Sequence, residues 1–245
     1  MKNIAAVTSP EDIHEAPAFR IPETHHDQAV PATISRTLSP ARLLSLLHAA
    51  EKSASVSGTP ALLFMGAHKG AGADIVAFEA AYAAALTGRR VLFIDTNGSA
   101  SDTIREIRGR VPMPLNVGSG GVESIAPFVN VQGTSLFFAT LDEYEERDAF
   151  FPDGKAHGKI IDELRSVFGL IVVYAEAGAQ NPLATILSGI ADASVLVAEE
   201  GSTRIPVIGD LRRLVEMHGG RVAGVVLNKC RSHIPPSLYR ALFGL

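Results

Sequence analysis

Six short, largely apolar runs between residues 61 and 228 constrain the fold of this chain more than any other feature. They are apolar nearly throughout instead of alternating with polar residues, which is typical of strands buried on both faces of a parallel sheet. The runs cover residues 61–66, 91–95, 135–141, 169–175, 193–199 and 221–228. We therefore predict an α/β fold with an open, mostly parallel sheet.

Helical patterns alternate with these runs. Three of them end at a glycine, which commonly terminates a helix. They cover residues 75–86, 160–167 and 208–215, and the glycines are Gly88, Gly169 and Gly219. An earlier pattern begins with Ser39 as a candidate N-cap and Pro40 in the first turn. Repeated strand–helix units imply helices flanking the sheet and ligands beyond the carboxyl ends of the strands.

The first 38 residues differ from the rest. Five of the 14 prolines lie within the first 40 positions, and no helical or strand period is visible there. This composition predicts a flexible tail at residues 1–38. We expect residues 39–245 to form a single domain, because a chain of this length fills one sizeable core.

Composition narrows the function classes. A net charge of −4 and a pI near 6.1 do not fit a nucleic-acid-binding surface. One cysteine, Cys230, excludes an internal disulfide, and we expect it to pack in the core after the last strand. The amino-terminal apolar patch is too short for a signal peptide, and no apolar run approaches the ~18 residues of a bilayer span. These features predict a soluble, cytoplasmic protein.

The stretch after the first apolar run has the shape of a phosphate-binding loop. In the motif G-x-x-x-x-G-K-[ST], backbone amides cradle phosphate, the lysine neutralises its oxygens and the hydroxyl ligates magnesium. Residues 67–74, AHKGAGAD, keep the loop length together with Gly70 and Gly72. Ala73 replaces the lysine, however, and Asp74 replaces the hydroxyl.

The charge of Asp74 opposes phosphate binding. A carboxylate about 4 Å from a phosphate oxygen costs roughly 4 kcal/mol at an effective dielectric constant near 20. The same carboxylate at a helix N-terminus is favourable by about 0.3–1 kcal/mol, so Asp74 is expected to act as a built-in anion. We expect no cofactor. The alternative is an atypical ATP site in which Lys69 and Asp74 act with Mg²⁺.

Several longer segments carry a resemblance to a known family. The chain from about residue 40 onward resembles the bacterial tyrosine kinase branch of the P-loop ATPases, especially in GRRVLFID and RVAGVVLNKC. Members of that branch are cytoplasmic partners, or cytoplasmic domains, of membrane co-polymerases that govern capsule and exopolysaccharide assembly. Cell-division and chromosome-partition ATPases share the fold and are the nearest rivals.

The resemblance implies acidic groups that this sequence largely lacks. Asp95 matches the first aspartate of the family's second motif, but Asn97 replaces the next one. Tyr174 stands where a third aspartate is implied, and Glu176 lies two residues further on. We therefore expect no catalytic and no metal-binding residues, and interpret Lys69, Gly70, Gly72, Ala73, Asp74 and Asp95 as the remnant of a nucleotide site.

Two further implied features are weak. The tyrosine cluster that accepts phosphate in active members is reduced to Tyr239, and the pattern of the ring-forming helix is matched only loosely by Arg36, Arg42 and Glu51. A homo-oligomer is therefore an open expectation. Residues 235–245 form a short amphipathic pattern, which favours docking onto the sheet or a partner over membrane contact.

The resemblance, combined with the missing phosphate-handling groups, implies a non-catalytic, kinase-like cytoplasmic subunit. It would regulate or scaffold exopolysaccharide or capsule synthesis and export through a membrane co-polymerase, at the inner membrane through that partner, without binding nucleic acid or crossing the bilayer. The alternatives are an active autokinase or ATPase with an atypical site, and a partition-type ATPase that positions itself on a membrane.

Overall fold

The computed structural model describes residues 39–96, 101–111, 115, 128–131, 133–141, 154–176 and 181–230. The predicted tail at 1–38 and the segment 235–245 lie outside these ranges, as do Arg36, Asn97 and Tyr239. The helices are α1 (Pro40–Ala54), α2 (Ala73–Leu86), α3 (Asp102–Arg108), α4 (Gly154–Arg165), α5 (Pro182–Ile190) and α6 (Ile205–Met217). The strands are β1 (Ala61–Gly66), β2 (Val91–Asp95), β3 (Val129–Asn130), β4 (Leu136–Thr140), β5 (Leu170–Ala175), β6 (Ala193–Glu199) and β7 (Val222–Asn228).

These strands form one sheet in the order β3-β4-β2-β5-β1-β6-β7. All neighbouring pairs are parallel except β3 and β4, which are antiparallel. The six apolar runs correspond to β1, β2, β4, β5, β6 and β7, with bounds that agree to within one residue. The predicted open, mostly parallel sheet is confirmed.

Helices cover both faces of the sheet. Side chains of β1 alternate between two apolar clusters, with Leu62 and Phe64 in one and Leu63 and Met65 in the other. The first cluster includes residues of α1, α2 and α3, and the second includes residues of α4, α5 and α6. Burial on both faces explains why the strand sequences are apolar without alternation.

Helix α2 is buried on nearly all sides. Only Ile75, Tyr82 and Leu86 of its 14 residues escape full burial. The reason is that α1 packs on its outer side while the sheet covers its inner side. Leu43, Leu47 and Ala50 are the buried residues of α1, whereas the side chain of Ser39, the candidate N-cap, makes no capping hydrogen bond.

Strand β7 departs from the prediction of full burial. It lies at the edge of the sheet, where Val225 and Leu227 are 52% and 54% exposed. Cys230, two residues beyond the strand, is also exposed, so the prediction that it packs in the core was wrong. An edge strand has a neighbour on one side only, and the residues that follow it leave the core. None of the described helices is long and apolar enough to cross a membrane.

Candidate functional site

The loop of residues 67–72 lies beyond the carboxyl ends of the parallel strands. It leaves β1 and leads into α2. The amide of Ala67 donates to the carbonyl of Val197 at 2.8 Å, which extends the β1–β6 ladder by one bond. The amide of Ala71 donates to the carbonyl of His68 at 3.1 Å. The loop thus lies at the carboxyl ends of the strands, where open α/β sheets bind ligands.

Two glycines shape the loop. Gly70 and Gly72 have φ angles of +82° and +84°, in the left-handed region that favours glycine. Gly72 also lacks room for a side chain, since a Cβ atom there would lie 2.3 Å from Nδ2 of Asn228. At Gly70 a Cβ atom would meet nothing within 4 Å. Gly72 is therefore required by both conformation and space, whereas Gly70 is required by conformation alone.

The end of β7 fastens this loop. Buried Asn228 donates from Nδ2 to the carbonyl of Ala71 at 3.0 Å. Lys229 donates from Nζ to the carbonyl of Gly70 at 2.7 Å, and its ammonium lies 3.1 Å from Oε2 of Glu199. The sequence reasoning missed both residues. Their signal was Asn228 at the end of the last parallel strand with Lys229 directly after it, because the carboxyl ends of parallel strands lie side by side.

On its other side the loop contacts the segment between β6 and α6. Nε2 of His68 lies 3.0 Å from Oγ1 of Thr203 and 3.9 Å from Oε2 of Glu199. The same threonine oxygen accepts a hydrogen bond from the amide of Glu199 at 2.8 Å. Glu199 is thus a shared neighbour of His68 and Lys229, and its carboxylate compensates positive charge beside the loop.

Lys69, the lysine that the sequence places inside the loop, points outward. Its side chain is 89% exposed, and Nζ lies 3.9 Å from Oε1 of Glu176. An exposed pair of this kind contributes little to stability. The structure therefore brings Lys69 near Glu176 but holds it weakly.

Ala73 and Asp74 begin α2 and are both buried. Gly72 is the N-cap, so Ala73 and Asp74 are the first two helical residues. Asp74 therefore sits where the first amides of the helix favour a negative charge. This is the place at which the phosphate motif would require a cation and a hydroxyl.

Tyr174 is the last but one residue of the central strand β5 and lies between Phe64 of β1 and Asp95 of β2 in the register of the sheet. Burial raises the pKa of its phenol far above the ordinary value of 10.0, and the charges of Asp74, Glu176 and Asp95 raise it further. The residue that replaces the implied third aspartate is consequently a neutral phenol. It adds no negative charge with which to hold a metal ion.

We expect the parent protein to lose stability above about pH 10 and the Tyr174→Phe variant to lack this loss. The unfolded chain releases the phenolic proton near pH 10.0, whereas the folded protein retains it because its pKa is raised. The unfolded state then binds fewer protons, so the free energy of unfolding falls by about 1.4 kcal/mol per pH unit. Below pH 10 both the folded and the unfolded chain hold the phenolic proton, so Tyr174 does not make the free energy of unfolding depend on pH. Urea unfolding at pH 8 and pH 11 should show Tyr174→Phe gaining about 1 kcal/mol relative to the parent at the higher pH.

A second tyrosine provides the control for that measurement. Tyr82 lies in α2 and is partly exposed, so Tyr82→Phe removes a hydroxyl away from the carboxylates named above. If the free energy of unfolding of both variants changes by the same amount between the two pH values, burial of Tyr174 does not cause the loss of stability at high pH.

Asp95 is engaged by an arginine from the next helix. Its side chain is 0% exposed, and Oδ2 lies 3.0 Å from Nη1 of Arg108, which is 26% exposed. The same nitrogen lies 3.3 Å from the backbone oxygen of Asp95. Asp95 thus has a cation of the protein beside it, and the sequence pattern contained no signal for this pair.

Of the residues considered for a ring-forming helix, the structure describes Arg42 and Glu51, both on α1. Glu51 pairs with Arg89, and Arg89 also donates to the carbonyl of Gly169. Arg42 is exposed on α1. Glu51 therefore serves a contact within this chain.

As a whole the site offers few groups for phosphate or metal chemistry. Among the described residues, no three His, Cys, Asp or Glu side chains are arranged to hold a metal ion. The loop keeps its helix N-terminus and its glycines, but the nearest charges are largely negative or already compensated.

No protein-family model and no curated protein matches the sequence. Solved structures do match. The VpsO kinase domain is 20% identical, with 78% of this chain and 97% of that chain covered and a TM-score of 0.59. The kinase domain of the Escherichia coli tyrosine kinase ETK is 14% identical, with 80% and 79% covered and a TM-score of 0.60.

A cell-division ATPase has a similar structure. MinD of Pyrococcus furiosus is 18% identical, with 76% of this chain and 81% of that chain covered and a TM-score of 0.54. At these identities the likeness shows the fold. The tyrosine kinase domains and the cell-division ATPase share this fold.

Proposed function

We propose that this chain is a non-catalytic, tyrosine-kinase-like subunit that regulates or scaffolds exopolysaccharide or capsule synthesis and export. Its partner would be a membrane co-polymerase, through which the cytoplasmic chain would be held at the inner membrane. The chain would contribute a rigid α/β surface, with the loop face available for partner contacts.

One observation carries the non-catalytic part of the proposal. At the start of α2, where phosphate and Mg²⁺ would need a lysine and a hydroxyl, the chain has Ala73 and buried Asp74. Phosphoryl transfer depends almost entirely on positioned charges, so this exchange removes the main electrostatic contribution. The ion pair of Asp95 with Arg108 and the neutral phenol of Tyr174 support the same conclusion.

The polysaccharide part rests on likeness. The sequence segments quoted above resemble the polysaccharide-associated tyrosine kinases, and the structures of the VpsO and ETK kinase domains share the fold. Beside a co-polymerase such a domain can act without transferring phosphate, because a docking surface needs shape and charge but no reaction.

An active ATPase or autokinase is the second candidate, and Lys229 favours it. Its ammonium lies at the loop, 2.7 Å from the carbonyl of Gly70, so a cation is present although it comes from β7 and not from α2. In this candidate Lys69 and Asp74 would act with Mg²⁺. Against it, Lys229 already donates to the loop and faces Glu199 at 3.1 Å.

A partition-type membrane-positioning ATPase is a third candidate, which depends on residues 235–245 and on the likeness to MinD.

Complementation of a gene deletion in the native host tests the proposal. We expect the deletion to lower the amount of exported polysaccharide, because the subunit is proposed to support the export system. Wild-type protein and Lys69→Ala should restore export equally, since the exposed Lys69 has no catalytic role in this proposal. Lys52→Ala, at an exposed position in α1, is the matched control for the loss of a lysine.

Two results would contradict the proposal. An unchanged polysaccharide level in the deletion strain would remove the assigned process. Failure of Lys69→Ala to restore export, with Lys52→Ala restoring it, would favour the active enzyme instead.

A further inference from the structure

Strand β7 exposes an apolar patch at the edge of the sheet. We call Val225 and Leu227 the edge patch; their side chains are 52% and 54% exposed. In the sheet register Val225 lies beside Leu196 and Leu227 beside Ala198. Leu196 belongs to the apolar cluster that α4, α5 and α6 cover, and Val225 shares its face of the sheet. The edge patch therefore continues that core layer outward.

Nothing in the described part of the chain covers this patch. Helix α6 packs against both β6 and β7, yet it leaves the two side chains about half exposed. β7 also has a strand neighbour on the β6 side alone among the described strands. Proteins usually protect an apolar sheet edge with a helix or a loop, because an open edge invites aggregation.

We propose that residues 231–245 of the same chain fold back and cover the edge patch. This segment follows Cys230, only two residues after β7 ends. Within it, Leu238, Leu242 and Phe243 recur at helical spacing after Pro235, Pro236 and Ser237, a favourable helix start. A short helix would place these three side chains along one face that can pack on Val225 and Leu227.

The connection is long enough for this return. Residues 231–237 span at most about 24 Å when extended. The edge patch begins about 10 Å back from the end of β7, because strands rise about 3.3 Å per residue. A helix over residues 238–243 would be about 9 Å long, which is sufficient to span the distance of about 7 Å between Val225 and Leu227.

Charge favours the same occupant. Residues 231–245 contain Arg231 and Arg240 and no acidic residue. The end of β6 next to β7 carries Glu199 and Glu200, and the amide of Glu200 donates to the carbonyl of Asn228 at 3.0 Å. Glu199 already faces Lys229 at 3.1 Å, so the two arginines of the segment are attracted mainly by Glu200.

A single tryptophan reports on the proposed contact. The sequence contains none, so Phe243→Trp in the full-length chain gives an unambiguous emission signal. We expect emission shifted to the blue of the same protein in denaturant, with the same position at all protein concentrations. Adding Val225→Glu should return the emission to the denatured position and make trypsin cleavage after Arg240 about tenfold faster, since cleavage follows the population of the open form.

Two further variants separate this contact from a general loss of structure. Leu86→Glu is the matched control, because Leu86 is 48% exposed at the end of α2, and it should leave both readouts unchanged. Leu242→Ser changes the segment itself and should release the tryptophan as Val225→Glu does, even if the latter disturbs the sheet. Far-UV circular dichroism checks the fold of each variant.

Three results would overturn the proposal. Emission at the denatured position in the parent would show that the segment is not docked. A blue shift that disappears on dilution would assign the patch to a second copy of the chain. A blue shift that needs vesicles containing anionic lipid would assign residues 231–245 to a membrane surface.

Discussion

Replacing Arg108 with alanine is expected to lower the free energy of unfolding by about 2–3 kcal/mol. The substitution removes the cation that lies 3.0 Å from the carboxylate of Asp95, which is 0% exposed. Removing one partner of a buried pair typically costs about 3–5 kcal/mol. We place the loss below that range because Arg108 is 26% exposed, so water can reach its position. Urea unfolding at neutral pH measures the change.

The same helix supplies a control for this prediction. Arg105 pairs with Asp102 three residues away, and both side chains are mostly exposed, at 64% and 95%. Arg105→Ala should therefore change stability by less than about 0.5 kcal/mol. Equal losses for Arg105→Ala and Arg108→Ala would show that Asp95 does not depend on its arginine.

A double-mutant cycle identifies the cause of the loss. Asp95→Asn keeps the shape of the side chain but removes its charge. If the buried carboxylate causes the destabilisation, the double variant should be about 1 kcal/mol more stable than Arg108→Ala alone. Additive losses would contradict that explanation. A confirmed coupling would make Asp95 a structural residue, in keeping with the proposed non-catalytic role.

The main strands were predictable because burial on both faces leaves a strong signal in the sequence. Runs such as residues 61–66 and 91–95 coincide with β1 and β2, since every position along these strands is buried. The short strand β3 was missed because a pair of residues, Val129 and Asn130, carries no period. The edge position of β7 was missed because an apolar run does not reveal what packs beside it.

Two short helices were also missed, for different reasons. Helix α5 had readable signals, since Asn181 caps it by accepting bonds from two amides and Pro182 begins its first turn. Helix α3 has seven residues, and its buried pair, Ile104 and Ile107, is too short a pattern to predict a helix. Local signals suffice only where the helix is long enough or well capped.

For the site, the sequence showed what the loop lacks but not what surrounds it. Ala73 and Asp74 could be judged from the motif alone. The contacts of Asn228 and Lys229 join residues that are distant in the sequence to the loop, so they depend on the order of the strands. Arg108 lies only 13 residues from Asp95, but on a helix that the sequence did not predict. Lys229 changes the interpretation most, because the loop does have a cation beside it.

Restoring the motif should give the chain the ability to bind ATP. We expect the double variant Ala73→Lys/Asp74→Thr to bind ATP with Mg²⁺ at least about 100-fold more tightly than the parent, a difference of about 2.7 kcal/mol. Removing the Asp74 charge relieves roughly 4 kcal/mol of repulsion at 4 Å and a dielectric constant near 20, and the new ammonium adds attraction. The loop already has the glycines and the helix N-terminus that cradle phosphate. Isothermal titration calorimetry measures both affinities.

Binding should return without turnover, because the substitutions leave other parts of the site unchanged. Tyr174 remains a neutral phenol at the end of β5, and Asp95 remains paired with Arg108. ATP hydrolysis by the double variant is therefore expected to stay at the background rate. Asp74→Asn, which removes the charge alone, should recover only part of the affinity.

If the parent itself binds ATP with a dissociation constant below about 100 μM and Lys69→Ala abolishes this binding, the active-enzyme candidate is favoured. If the double variant binds no better than the parent, the charges at the start of α2 are not what excludes phosphate, and the non-catalytic proposal loses its main support.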